Sequence, residues 1–180
     1  QKGLELLLPL LEEFLDTPVQ LVFLGTGERS YERRLQDLSR VRPESMAVVL
    51  AYNEGLAHRI EAGADIFLMP SLFEPCGLNQ LYSLRYGTLP VVRGIGGLAD
   101  TVVDADDEAR ASGIATGFVF SAPEAADLRG VVRRAVDLWN DKSAWRSLQV
   151  TAMARLLPDA ALDMDTIGRR LLAILADALG

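Results

Sequence analysis

The sequence predicts an α/β domain built on a doubly wound parallel sheet, with extra helices toward its C-terminal end. Three observations point there. Short apolar runs alternate with segments of helical periodicity along the chain. Runs such as Val19 to Leu24 and Leu89 to Val92 are apolar at nearly every position instead of alternating with polar residues. Strands of that kind are covered on both faces, as in parallel sheets. Gly and Pro stand at the joints.

Each element follows from its local pattern. Leu4, Leu7, Leu8, Leu11 and Phe14 fall at helical spacing with Glu5, Glu12, Glu13 and Asp16 between them, so an amphipathic helix is expected up to Thr17-Pro18. Val19 to Leu24 is a strand by its β-branched and apolar content. Gly25-Thr26-Gly27 turns into a helix over Tyr31 to Arg40, which Pro43 follows. Met46 to Leu50 is a strand, Glu54 to Ala62 a short helix and Ile66 to Met69 a strand. Next comes a loop with Glu74, Pro75, Cys76 and Gly77, then a helix with Leu78, Leu81, Tyr82 and Leu84 to one side. The strand Leu89 to Val92 and the turn Gly96-Gly97 complete a βαβ unit. Its first strand carries a carboxylate at its carboxyl end, the edge where open parallel sheets bind ligands. Asp104 to Gly117 is acidic and rich in small residues and reads as a surface loop before a short strand, Gly117 to Phe120. Pro123 to Asn140, Lys142 to Leu156 and Asp165 to Leu179 read as helices, with Pro158 breaking between the last two.

The chain has 180 residues, enough for one domain with a core, and neither a repeat nor an interdomain linker is evident. Its net charge of -7 argues against nucleic acid, whose phosphates reward basic surfaces, so an anionic ligand would need a local positive site. The single cysteine, Cys76, excludes an internal disulfide and fits a reducing compartment. No apolar run approaches about 20 residues, so neither a membrane span nor a membrane partner is expected.

Several residues carry candidate chemistry. Glu74 lies after a strand and before a helix start. A solvated loop carboxylate and a ligand acceptor both fit that place. Cys76, Gly77, Leu78 and Asn79 open the following helix, whose amino terminus offers unpaired N–H groups and partial positive charge to an anion. Gly77 lets the backbone approach a ligand or simply makes a turn. Asn79 donates to a phosphate or caps the helix. Cys76 is read as a packing residue, since no His or Lys adjoins it in sequence to lower its pKa. Gly25-Thr26-Gly27 invites a dinucleotide reading, but position 30 is Ser and no strand-end acid follows at the required distance. Asp104-x-Asp106 and Asp163-x-Asp165 suggest metal ligands but are read as solvated loops, the second capping the last helix. His58, the one histidine, is read as structural.

The run FEPCGLNQLYSLRYGTLPVVRGIGGLADTV, Phe73 to Val102, resembles the signature of bacterial glycogen synthases and plant starch synthases. Gln1-Lys2-Gly3, Val22 to Gly27 and Ala62-Gly63-Ala64-Asp65 support the resemblance, which extends over Gln1 to Val103. Those enzymes are retaining glucosyltransferases that use ADP-glucose and have two Rossmann-like domains facing a cleft, the GT-B fold. The resemblance implies that the chain is the C-terminal, nucleotide-sugar-binding domain of such an enzyme, a fragment without its N-terminal acceptor domain. It also implies nucleotide sugar and α-glucan as partners, no metal or other cofactor, and a cytoplasmic or, in a plant, plastid location.

By the same resemblance, Glu74 accepts hydrogen bonds from hydroxyls of the transferred glucose and stabilises an oxocarbenium-like sugar, which makes it the catalytic candidate. Cys76 to Asn79 hold the glucose and pyrophosphate. Lys2 neutralises the phosphates, helped in the family by an Arg five residues earlier; Arg93 is a nearby charge not assigned to them. Tyr52 stacks on the adenine, although a strand-end Tyr with its hydroxyl in water fits too. Tyr82 stands where related families carry a second Glu, and either a nucleoside contact or a core aromatic fits it. Asp163-Met164-Asp165 replaces the aromatic that precedes the family's last helix. The residues alone leave open a UDP-glucose or other-acceptor enzyme of the same fold, a non-catalytic nucleotide- or glucan-binding module, and a nicotinamide-dependent oxidoreductase.

Overall fold

A computed structural model describes residues 1–155. The expected helix Asp165 to Leu179, the pair Asp163-x-Asp165 and the break at Pro158 lie outside them.

The first amphipathic segment is interrupted. Helix α1 (Leu4–Leu7) passes into a 3₁₀ turn (Leu8–Leu10) and then α2 (Leu11–Leu15). Pro9 explains the break, because it lacks an N–H and its ring crowds the preceding turn. The apolar stripe survives it, with Leu7, Leu8, Leu10, Leu11, Phe14 and Leu15 all buried. Then follow β1 (Leu21–Leu24), α3 (Arg29–Val41), β2 (Met46–Val49), α4 (Glu54–Gly63), β3 (Ile66–Met69), α5 (Asn79–Tyr86) and β4 (Leu89–Arg93). Two short helices, α6 (Gly97–Thr101) and α7 (Asp107–Ala111), precede β5 (Phe118–Phe120). The long helices α8 (Ala125–Asn140) and α9 (Lys142–Ala154) end the described chain. Asp141 separates them and caps α9, accepting from the N–H groups of Ser143 and Ala144.

Two expectations need correction here. Asp104 to Gly117 is not a plain surface loop. Asp106 caps α7 by accepting from the Ala109 N–H at 2.7 Å, Asp104 bridges in parallel to Gly117, and Ala105, Ala109 and Ala115 are buried. In α5, Leu84 is buried but Leu78 and Tyr82 are exposed. The inward face is Gln80, Ser83 and Leu84, so the outer side of the first turn is left facing solvent.

Among the described residues all strand pairs are parallel, in two ladders: β1–β2, and β3–β4–β5 with β4 central. Ile66 pairs with Leu89 and Val91 with Phe118. Alternate residues of the second ladder enter two cores. Leu89, Val91, Phe118 and Phe120 join Leu84 of α5 and Leu128 and Val131 of α8. Met69 and Val92 meet Leu98 and Val102 on the other face. That two-sided burial is why these strands read as continuous apolar runs. Because the strands are parallel, each ladder's carboxyl ends share one rim, which carries the loops after β3 and β4 in one ladder and after β1 and β2 in the other. Among the described residues no helix is long and apolar enough to cross a membrane.

Candidate active site

The loop after β3 brings Glu74 to the rim, where the residue is only 9% exposed. Lys2, 72 residues away in sequence, donates from Nζ to Glu74 Oε2 at 2.5 Å. Ser71 Oγ lies 3.4 Å from the same oxygen. The Lys side chain is 74% exposed, so one partner of this ion pair is fixed and the other faces water.

Backbone contacts account for the meeting. The Leu72 N–H donates to the Gln1 carbonyl at 2.8 Å. Gly3 adopts a left-handed φ of 72°, and a Cβ there would stand 1.8 Å from the Pro70 carbonyl oxygen. Only glycine lets the chain run so close to Pro70 and carry Lys2 to Glu74. Arg93, from the end of β4, donates from Nε to the Ser71 carbonyl at 2.7 Å and from Nη2 to that of Leu72. Its guanidinium is thus occupied in bracing the loop. On the far side, the Gly97 N–H donates to the Pro75 carbonyl at 3.2 Å.

The loop ends at the amino terminus of α5. Cys76, Leu78 and Asn79 are exposed and Gly77 is half-buried with a φ of 70°. The helix proper starts at Asn79, and its cap position is Leu78, with no side-chain cap. Asn79 as the helix cap is therefore corrected: it stands one place too late, and no side chain caps the first turn, where only the Leu81 N–H is taken, by the Leu78 carbonyl at 2.9 Å. No described group accepts from the N–H of Gly77 or Leu78.

The nucleoside candidates lie farther out. Tyr52 follows β2 and is 91% exposed. Tyr82 is 40% exposed and is not a core aromatic; it makes an edge contact with His58, ring centroids 5.3 Å apart. His58 Nδ1 lies 3.2 Å from the Tyr86 hydroxyl. The histidine thus lies against the face of α5 that carries Tyr82.

The other motifs resolve as structural. Asp104 accepts from the Val119 N–H at 2.7 Å and pairs with Arg134 at 2.5 Å. A Cβ on Gly25 or Gly27 would meet nothing within 4 Å, so neither makes the close helix–strand approach that a dinucleotide turn requires. Among the described residues no group of three His, Cys, Asp or Glu side chains could hold a metal. Sequence reasoning passed over Ser71, whose one signal was its place three residues before Glu74, and the bracing role of Arg93, which had none.

Known proteins resemble this chain closely. Residues 1–147 match the family model described as Glycosyl transferases group 1. Glycogen synthase 1 of Methylococcus capsulatus is 54% identical over 155 residues, which is 86% of this chain but only 31% of that protein's length. The glycogen synthase of Cellvibrio japonicus is 52% identical over 155 residues, and this chain spans 32% of it. Among solved structures, the catalytic domain of starch synthase IV from Arabidopsis thaliana, bound to ADP and acarbose, superposes with a TM-score of 0.76 at 26% identity, covering 99% of this chain and 36% of that one. Sucrose-phosphate synthase from Thermosynechococcus elongatus shares the fold at a TM-score of 0.64 and 20% identity, covering 99% of this chain and 42% of its own. The expected α/β architecture is thus the one found in GT-B enzymes. With the family model spanning 147 of the 180 residues, the chain belongs to the group 1 glycosyl transferases.

Proposed function

We propose that this chain is the donor-binding part of a glycogen synthase. The whole enzyme moves glucose from ADP-glucose to the 4-hydroxyl at the non-reducing end of an α-1,4-glucan, with retention, in the cytoplasm. The observation that carries the reading is the Lys2–Glu74 pair at the sheet rim, a cation and an anion held beside open helix amides. Glycogen synthases more than 50% identical over most of the chain support it.

In this reading a bound donor separates the pair. Glu74 keeps its place and accepts from hexose hydroxyls, where an ionised acceptor makes the stronger bonds. Its charge also stabilises positive charge developing on the sugar. Lys2, on its exposed stem, turns to the diphosphate. Cys76, Gly77, Leu78 and Asn79 present backbone N–H groups and the positive end of α5 to the same phosphates. Neutralisation of the departing ADP thus falls to Lys2 and these amides, and the reading calls for no metal. Tyr52 and Tyr82 border the nucleoside. Glucan binding and the remaining catalytic groups belong to an acceptor domain outside these 180 residues.

Calorimetric titration with ADP-glucose, ADP and UDP tests this. ADP and ADP-glucose are expected to bind weakly and UDP more weakly still. A preference for UDP would make the chain part of a different glycosyltransferase of this fold. Robust glucan synthesis by this chain alone would overturn the claim that the acceptor side lies elsewhere.

A further inference from the structure

Gln80 is polar, uncharged and fully buried at 0% exposure, in the first turn of a helix whose neighbouring buried positions are Ser83 and Leu84. Its Nε2 lies within bonding distance of three acceptors: the Cys76 carbonyl at 3.2 Å, the Gly77 carbonyl at 3.0 Å and Thr101 Oγ1 at 3.2 Å. Its Oε1 is buried without a partner among the described residues. The orientation is forced, because the reverse would aim a carbonyl oxygen at two others. A side chain at Gly77 would collide with this amide, its Cβ falling 2.5 Å from Gln80 Oε1. Thr101, on α6, donates in turn to the Gly97 carbonyl at 2.5 Å. Gly97 itself holds the Pro75 carbonyl and runs so close to Cys76 that a Cβ would stand 1.9 Å from its oxygen.

Peptide planarity turns these contacts into a statement about the site. The described peptide bonds are all trans, so within each plane the N–H points opposite to the C=O. With the Cys76 carbonyl drawn inward to Gln80, the Gly77 N–H must point outward. With the Gly77 carbonyl drawn inward, so must the Leu78 N–H. We infer that Gln80 is a positioning residue: with Thr101 behind it, it orients the peptide planes of Cys76–Gly77 and Gly77–Leu78 so that their two N–H groups face a diphosphate. This rests on the donor-site reading above and adds to it the residue that aligns the anion-binding amides.

The test follows the amide resonances of Gly77 and Leu78 during titration of the labelled chain with ADP and with adenosine, alongside calorimetry. In the unaltered chain ADP is expected to move both resonances and adenosine neither. Gln80→Met keeps the bulk but removes the donor. It is expected to weaken ADP binding about tenfold, to leave adenosine binding unchanged, and to abolish the ADP-induced shifts, since small misplacements of aligned groups are costly. Thr101→Val should weaken ADP about threefold, and the double variant no more than Gln80→Met alone, the non-additivity of residues sharing one contact. Two results would overturn the inference: ADP affinity within twofold of the unaltered chain in a folded Gln80→Met variant, or equal losses for ADP and adenosine. If Gln80→Met does not fold, Thr101→Val decides by the same comparison. Absence of ADP binding in the unaltered chain would sink the donor-site reading itself, a failure distinct from an effect missing only in the variants.

Discussion

The two ladders end in rims of opposite character. At the β3–β4–β5 rim, five carbonyls of the loop are held: Ser71 and Leu72 by Arg93, Pro75 by Gly97, Cys76 and Gly77 by Gln80. At the β1–β2 rim, Gly25 and Gly27 stand in open space and Tyr52 is 91% exposed. The first is a preformed frame of charges and dipoles, the second a loose edge with a flat ring. In the proposed reading, the difference suits what each part of a nucleotide sugar asks of a protein. Stabilising developing charge needs dipoles fixed in advance. Stacking on a base needs only an apolar face that can adjust.

The largest expected effect falls on the clamped rim. In a longer enzyme that contains this chain and its acceptor side, Glu74→Ala should lower turnover by roughly 100-fold to 1,000-fold, the scale of losing one fixed electrostatic stabiliser. Unchanged turnover would favour a non-catalytic binding module.

Two glycine substitutions break the comparison directly. Gly97→Ala puts a methyl 1.9 Å from the Cys76 carbonyl and should cost about 3 kcal/mol in urea unfolding. Gly27→Ala meets nothing within 4 Å and should stay within about 0.5 kcal/mol. Similar losses at both positions would mean that the two rims are equally packed.

A smaller effect lies in α4, which leads from the β1–β2 rim to the start of β3. Glu61 is 4% exposed, Oε2 has no described partner, and burial raises its carboxyl from 4.5 to about 7. Between those values the folded chain binds the proton more tightly than the unfolded chain. The stability this group contributes is therefore complete below about pH 4.5 and is lost as pH rises through about 7. Glu61→Gln should raise the melting midpoint at pH 8 by a few degrees, on the order of 1 kcal/mol, and change little at pH 4. A gain that is the same at both pH values would assign the effect to packing.

The smallest concerns the open rim. Tyr52→Ala should leave the urea midpoint unchanged and weaken ADP about threefold, the scale of one aromatic contact. A large stability loss would show that Tyr52 packs against something.

The legible parts of this molecule were those governed by near neighbours. The runs Ile66 to Met69 and Leu89 to Val92 announced buried strands, and β3 and β4 lie there. Pro9, set within a leucine-rich helical pattern, was the missed local signal, and the 3₁₀ turn follows from it. The place of Glu74 at the sheet rim was legible because a carboxylate after a strand and before a helix falls at that edge; its role toward a sugar came from the resemblance and is a proposal. The role of Tyr82 was not, since helical spacing alone does not say which face of α5 packs inward.

From the residues alone came the α/β class, the parallel strands and the loop that bears the acid; the list of groups for a sugar nucleotide came from the resemblance to glycogen synthases. Periodicity, turn chemistry and the absence of a second cysteine act over a few residues or over the whole composition, so both can be read along a line. The tertiary structure alone decided that Lys2 meets Glu74, that Arg93 is occupied with carbonyls, and that Gln80 aligns two amides. Those contacts join segments up to 72 residues apart. Their geometry depends on how close one backbone can pass to another, which is settled only when the chain has folded.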